Sequence, residues 1–331
     1  MHVSVMLRSI YVAAAVLVGT VGSVSAQQPQ KITIALSSPS LPAAGARIAN
    51  EMGLFQKHGI DAKVTPMDNA SVATMGLIAG SLEFTTTGGT DVVVSQARGQ
   101  KLVAITSIYR GLAGVLVLSK AAADKLNVSP TAPVNDRLKA LDGLIIASPS
   151  ATSTYTFALK SATEAVGAKI RFTYMAQPAM VAALETGAIQ GYMAGSPIYA
   201  RPVLSGSGVL WMSGPKGEFP PQFTPANAVT LNTRLDFAEA NRDLMKRIVA
   251  VFADLAKAVD ERPAEVKAAI AKLFPEIDAQ SMELIFATES KGFKVEPLTP
   301  ADMAREIAFV KASGLDLPEI DALKPASLMF P

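Results

Sequence analysis

The 331-residue sequence has no cysteine, which removes disulfides, thiol nucleophiles and thiolate metal sites together. Histidine is nearly as scarce: His2 stands in the N-terminal stretch, and His58 stands in Gln56-Lys57-His58-Gly59, a helix end where a cation suits the dipole. A Ser-His-Asp triad would have to use His58, and no Gly-x-Ser-x-Gly accompanies it. One histidine beyond the N-terminus and no cysteine give zinc no ligand set. Walker A, Gly-x-Gly-x-x-Gly and His-Glu-x-x-His motifs are missing as well. Neither a catalytic residue, nor a metal, nor a cofactor is therefore expected. Excess charge of one sign is also lacking: 30 Lys+Arg stand against 28 Asp+Glu, with no basic run to neutralise a phosphate backbone, so nucleic acid is not an expected partner. Long apolar runs are missing except at the start. There Ile10 to Val18 is about half the ~20 residues of a bilayer crossing. Arg8 precedes it and Val24-Ser25-Ala26 follows, the pattern of a signal peptide over residues 1–26, cleaved near Ala26. With no cysteine at that site, a lipid anchor is excluded, and an exported, soluble mature chain is expected.

Half of the residues are hydrophobic, which excludes global disorder, and the length suits two lobes. Short β-branched runs alternate with helical patterns, the mark of an α/β protein. Strands are expected at Lys31–Leu36, Ile60–Met67, from Leu82 into a glycine turn, and at Lys101–Tyr109. Helices are expected over Pro42–His58, Ser71–Ala79 and Asp91–Gln100. The pattern then restarts. Leu144–Ser148 reads as a strand, Thr154–Val166 as a helix, Ile170–Met175 as a strand, and Pro178–Glu185 as a short helix. Ala188–Pro197 is a strand entering a small-residue turn. Met75–Gly89 and Ala182–Ser196 match element by element: helix, glycine stop, strand, glycine loop. From Leu210 to Asn227 glycine and proline oppose regular structure, and Ala228–Thr233 is one more strand. In the C-terminal part Leu244, Ile248, Val251, Phe252, Leu255 and Val259 form one helical stripe. Thr299, Pro300 and Asp302 carry an N-cap signature.

Two strands end alike, in Ser38-Pro39-Ser40 and Ser148-Pro149-Ser150. In parallel α/β units the carboxyl ends of strands are where ligands bind, beside free N–H groups of the next helix. Ser37, Ser38, Ser150, Thr152 and Ser153 are thus ligand candidates. So are Gly88, Gly89 and Thr90 in the glycine loop and Ser196 in Ala194-Gly195-Ser196-Pro197. Plain helix capping, by Ser40 and Thr154 for instance, is the alternative for any single hydroxyl. Arg110 or Arg201 suits a carboxylate or sulfonate, and Tyr109, Tyr155, Tyr199 and Trp211 can flank an organic solute or pack in the core.

Four stretches resemble the solute-binding proteins of nitrate/taurine-type ABC importers: Ala49–Val64, Gly76–Gly89, Ala140–Thr154 and Ala183–Pro197. The resemblance implies the two-lobed type II periplasmic-binding fold, with two parallel-sheet lobes joined by two hinge crossings. Lobe I would hold residues 27–113 plus 211–331, and lobe II residues 114–210. It places Ser37, Ser38, Gly88, Gly89, Ser150, Thr152, Ser153 and Ser196 at the ligand. Glu83 and Gln190 stand where the family carries Asp, at positions expected to be structural. The expected function is an exported, non-enzymatic receptor, a monomer in the periplasm. It would capture a small organic anion, a sulfonate or carboxylate, and deliver it to an ABC permease in the inner membrane. The alternatives are a neutral pyrimidine-like thiamine precursor as the solute, a secreted enzyme on the same fold, and a subunit that feeds a membrane sensor.

Overall fold

The computed structural model describes residues 28–38, 40–67, 70–151 and 153–331; the signal peptide expected over 1–26 lies outside them. Ten strands form two five-stranded sheets. In chain order they are β1 Gln30–Leu36, β2 Ile60–Pro66, β3 Phe84–Thr87, β4 Leu102–Arg110, β5 Val115–Ser119, β6 Ile145–Ser148, β7 Arg171–Tyr174, β8 Gly191–Ala194, β9 Gly208–Ser213 and β10 Asn227–Arg234. The first sheet runs β2-β1-β3-β10-β4 and the second β7-β6-β8-β5-β9. Each has a parallel trio, then one antiparallel strand, then an outer strand. The antiparallel member is the strand that arrives from the other sheet. The chain leaves β4 for β5 through residues 111–114 and returns from β9 to β10 through residues 214–226.

The helices of the first half are α1 Gly45–Glu51, α2 Leu54–Lys57, α3 Ala70–Ile78 and α4 Gly89–Ala97. The second half adds α5 Lys120–Lys125, α6 Val134–Lys139, α7 Thr154–Ala165, α8 Gln177–Glu185 and α9 Ala200–Ser205. The C-terminal segment holds α10 Leu235–Ala240, α11 Arg242–Glu261, α12 Pro263–Leu273, α13 Ala279–Glu289 and α14 Pro300–Ala312. The helix expected over Pro42–His58 is interrupted. Gly53 takes φ +70°, which separates α1 from α2, and only glycine enters that region without strain. The stripe expected in the C-terminal segment lies on α11, and all six of its apolar residues are buried. Phe252 meets Phe55 edge-to-face at 6.1 Å, and burying such a ring stabilises the fold by about 1.5–3 kcal/mol. His58 pairs with Asp254 at 2.8 Å, with Lys57 on the same carboxylate.

The run Gly114–Leu118, strand-length in the sequence, lies mostly in β5, between β8 and β9 in the second sheet, and is fully buried from Val115 to Leu118. One region differs from the sequence reading. Gly208–Ser213 forms β9, so the strand passes Leu210 and continues to Ser213 before the Gly/Pro-rich stretch begins. Trp211 on β9 is wholly buried, and its indole N–H donates to the carbonyl of Arg137 at 3.2 Å. Glu83 and Gln190 do corresponding work in the two sheets. Glu83 accepts the Thr33 N–H of β1 at 2.8 Å, and Gln190 accepts the Ile145 N–H of β6 at 3.0 Å. Each side chain satisfies a backbone donor of the strand that leads to a serine loop, Thr33 in the middle of β1 and Ile145 at the start of β6.

Candidate functional site

The carboxyl ends of the two sheets open on one cavity of about 590 Å³. From the first sheet come Ser37, Ser38 and Ser40 after β1, Thr90, Asp91 and Val94 of α4, and Ala228 and Val229 of β10. From the second come Pro149, Ser153, Thr154, Tyr155 and Phe157 after β6, and Gln177 at the start of α8. Leu112 and Ala113 of the first crossing form part of the lining, and Phe309 and Val310 of α14, with Ser313 and Leu315 just after it, close one wall.

The two serine loops are built differently. In the first, the hydroxyls of Ser38 and Ser40 lie 2.8 Å apart, and the backbone is held by the Ser37 N–H on the Thr86 carbonyl. In the second, hydroxyls are tied into a knot. Ser153 caps α7 by accepting the Thr156 N–H at 3.2 Å, and the Thr156 hydroxyl contacts Ser148 Oγ at 2.7 Å and the Ser150 carbonyl at 2.6 Å. Capping therefore falls to Ser153, one residue before Thr154. Gly114 in the first crossing has no room for a side chain, because a β-carbon there would stand 2.7 Å from the Tyr155 ring. Burial and the nearby Glu289 keep the Tyr155 phenol above its usual range.

The structure brings Ser37, Ser38, Thr90 and Ser153 together in the lining. Ser150 stands between the lining residues Pro149 and Ser153, and Thr152 lies outside the described residues. Gly88 and Gly89 do not line the cavity. The Gly88 N–H donates to Asp91 Oδ2 at 2.8 Å, and Gly89 leaves room for Glu306, whose carboxylate a β-carbon would meet at 2.8 Å. Arg110 is also elsewhere: its Nη2 lies 2.6 Å from Asp302 Oδ1 at the start of α14. Ser196 is buried and donates to Glu289 Oε2 at 2.8 Å. Arg201 is exposed on α9. Of the aromatics, Tyr155 lines the cavity, while Tyr109, Tyr199 and Trp211 are core residues.

The sequence reading missed Asp91, Gln177 and the α14 wall. Asp91 sits three residues after Gly88 in the first turn of α4, a visible capping position. Gln177 opens α8 just before Pro178, also a visible helix start. Nothing local marks Phe309 and Val310 as cavity residues, since they come from the far end of the chain.

Two carboxylates lie behind the cleft. Glu289 closes α13, and Glu306 lies on α14; they are 1% and 0% exposed. Burial pushes Glu289 up to about 7, against the Ser196 hydroxyl that favours its charge. Burial pushes Glu306 up to about 8, against the Asn227 N–H, which donates to Oε1 at 2.7 Å. Among the described residues no group of three or more acids and histidines is placed to hold a metal.

The architecture matches solved structures at low identity. The periplasmic aliphatic sulphonate binding protein SsuA of Escherichia coli is 18% identical and superposes with a TM-score of 0.69 over 91% of this chain and 99% of its own. The alkanesulfonate-binding SsuA of Xanthomonas axonopodis pv. citri, bound to MOPS, is 17% identical with a TM-score of 0.66, over 92% and 99%. The periplasmic nitrate-binding protein NrtA of Synechocystis PCC 6803 is 11% identical with a TM-score of 0.57, over 90% and 87%. These likenesses establish the two-sheet periplasmic-binding fold. No curated protein matches by sequence. The model of the NMT1-like family matches residues 25–274, most of the chain and both serine loops, and on that match the chain belongs to the NMT1-like family.

Proposed function

We propose that this chain is an exported receptor that captures a small organic solute in the cleft and hands it, unaltered, to an ABC permease. One observation carries the reading. Polar groups from the strand ends of both sheets, Ser37, Ser38 and Thr90 on one side and Ser153 and Gln177 on the other, line the same cavity. A solute held by both halves would favour their approach, and that closed form is what a permease would read. Apolar side chains around the hydroxyls, such as Leu112, Phe157 and Phe309, suit an organic body with a polar head.

The same proposal covers the division into lobes, export and assembly. Lobe I would comprise residues 27–113 and the C-terminal segment, and lobe II would begin at 114. We place the second crossing after Ser213, because β9 pairs with β5 up to that residue. The mature chain would begin near Gln27 and act as a periplasmic monomer.

Thermal-shift screening of small organic solutes, followed by small-angle scattering with the strongest hit, tests the reading. The expected result is a smaller radius of gyration at saturation. A hit that binds tightly and leaves the radius unchanged would remove hinge closure from the mechanism.

A further inference from the structure

We propose that the cleft selects a non-anionic solute bearing an amide-type group, with an N–H donor for Asp91 and an acceptor for the Gln177 side-chain NH₂. The inference rests on the receptor reading above and narrows its ligand.

The charge inventory comes first. Among the described residues lining the cavity, Asp91 is the one acid, and no lysine or arginine joins it; burial raises its carboxyl above the usual range, and the Gly88 N–H works against that shift by favouring the anion. The nearby cations are engaged elsewhere: Arg110 pairs with Asp302 at 2.6 Å, and Arg305 Nε donates to the Thr224 carbonyl at 3.0 Å. An anion entering the cleft would meet a carboxylate and no arginine or lysine to answer it.

The helix starts, which otherwise welcome anions, are already occupied. Asp91 Oδ2 takes the Gly88 N–H at 2.8 Å, so the protein's own carboxylate holds the place an external anion would take at α4. At α7 the Ser153 hydroxyl takes the Thr156 N–H. What remains open is Asp91 Oδ1, an acceptor with no partner among the described residues.

Gln177 supplies the complementary donor. The Gly195 N–H donates to its Oε1 at 3.0 Å, and a backbone N–H can pair only with the oxygen of a carboxamide. That bond fixes the amide orientation. The Nε2 end then carries two hydrogens with no partner among the described residues, on a side chain that lines the cavity. Acceptor on the first half and donor on the second is the complement of a carboxamide, lactam or urea group. A carboxylate or sulfonate offers acceptors to both and leaves Asp91 Oδ1 facing like charge.

Matched probes test this: benzamide against benzoate, nicotinamide against nicotinate, and benzylamine as a cation. They are titrated calorimetrically into wild type, Asp91→Asn and Ser313→Trp. Asparagine at 91 retains an oxygen for the Gly88 N–H while removing the charge, and tryptophan at 313 fills the cavity from its α14 side. The amides should bind wild type at least tenfold tighter than their acids, and Asp91→Asn should narrow that ratio by at least tenfold. Benzylamine binding tighter than benzamide would overturn the amide assignment in favour of a cation. An acid that binds wild type as tightly as its amide, with Ser313→Trp abolishing both, overturns the charge assignment while the cleft stands. If Ser313→Trp leaves amide binding unchanged, the solute sits elsewhere, and the receptor reading falls with the inference.

Discussion

The two sheets share strand order and even the same side-chain pin, yet they bury charge differently. Glu83 holds the middle of β1 and Gln190 the start of β6, an acid and its neutral isostere just before β3 and β8. Among the described residues, the buried charge of the second half is Arg137, answered by Glu218 at 3.2 Å. The C-terminal helices that flank the cleft bury Glu289 and Glu306, each with one carboxylate oxygen that has no partner among the described residues. The second half is thus held by neutral dipoles and one paired cation. The first half and its junction depend on carboxyl groups whose protonation matters, so pH should act on one side of the cleft.

The largest expected effect follows from that asymmetry. Glu306 rises from 4.5 to about 8 and Glu289 from 4.5 to about 7. Between pH 4.5 and those values the native state keeps protons that the unfolded chain has released. Stability from these groups is fully present below about pH 4.5 and is lost as pH rises to about 7 and about 8, by up to about 1.4 kcal/mol per pH unit for each. Glu306→Gln keeps an acceptor for the Asn227 N–H and should flatten the profile up to about pH 8; Glu289→Gln should flatten it up to about pH 7. Urea melts at pH 5, 7 and 9 decide the matter, and a wild-type stability that is level or rising across that span contradicts the assignment. Around Glu289 the facing groups are Tyr109 on β4, Tyr155 on α7, and Ser196 and Tyr199 after β8. Around Glu306 they are Asn227 and Arg305. None of these ordinarily titrates between pH 5 and 8, and because His58 elsewhere in the chain belongs to a class that does, the carboxyls' share of the profile is the part that Glu306→Gln and Glu289→Gln remove.

These acids were legible in part. Met303, Glu306 and Val310 recur at three- and four-residue steps on α14, and Met282, Ile285 and Glu289 do so on α13, so each acid occupies a core-facing phase of its helix. An acid in an apolar phase is the signal, and it shows in sequence without its partner. The halves, their repeated order and the serine loops were equally visible, because each rests on local periodicity and glycine stops. The placement of β5 and the extent of β9 were not. Gly114–Leu118 is strand-length, but its place beside β8 and β9 is a long-range fact, and the glycines and prolines after Ser213 hide the end of β9. Arg110 and Ser196 misled for the same reason: their partners, Asp302 and Glu289, lie 192 and 93 residues away in the chain.

A smaller effect separates the two glycine loops. Gly89 packs on Glu306, and a β-carbon would stand 2.8 Å from Oε1 and 3.0 Å from Cγ of a side chain fixed by the Asn227 N–H. Gly89→Ala should therefore destabilise by about 1–3 kcal/mol, the range for overpacking a filled site. In the second half, a β-carbon at Gly195 would stand 3.1 Å from the Tyr155 hydroxyl, the far end of a side chain. Gly195→Ala should cost less than Gly89→Ala in the same denaturant melts. Equal losses would mean that Glu306 yields as readily as the Tyr155 hydroxyl.

The smallest effect should appear in the distance between the halves and hardly at all in the melting curve. Ser196 follows β8 of the second sheet, while Glu289 belongs to the C-terminal helices assigned to lobe I, so their 2.8 Å hydrogen bond joins the parts proposed to move. Above about pH 7, where Glu289 is ionised, Ser196→Ala removes a charge-assisted bond of about 1.5–3 kcal/mol. Glu289 can recover some of that by holding its proton more firmly, because losing the Ser196 donor removes a group that favours its charge. A net loss of about 1 kcal/mol would change the ratio of the two hinge states by roughly fivefold. The absence of cysteine makes the measurement clean. Cysteines placed at the exposed Lys63 on β2 and Arg171 on β7 carry the only labels, one per sheet. Ser148→Ala is the contrast, since Ser148 bonds to Thr156 within the second half. It should lower stability and leave the distance distribution in place, whereas Ser196→Ala should broaden that distribution. If both variants leave it untouched, the halves are fixed by their packing, and the Ser196–Glu289 bond contributes to stability alone.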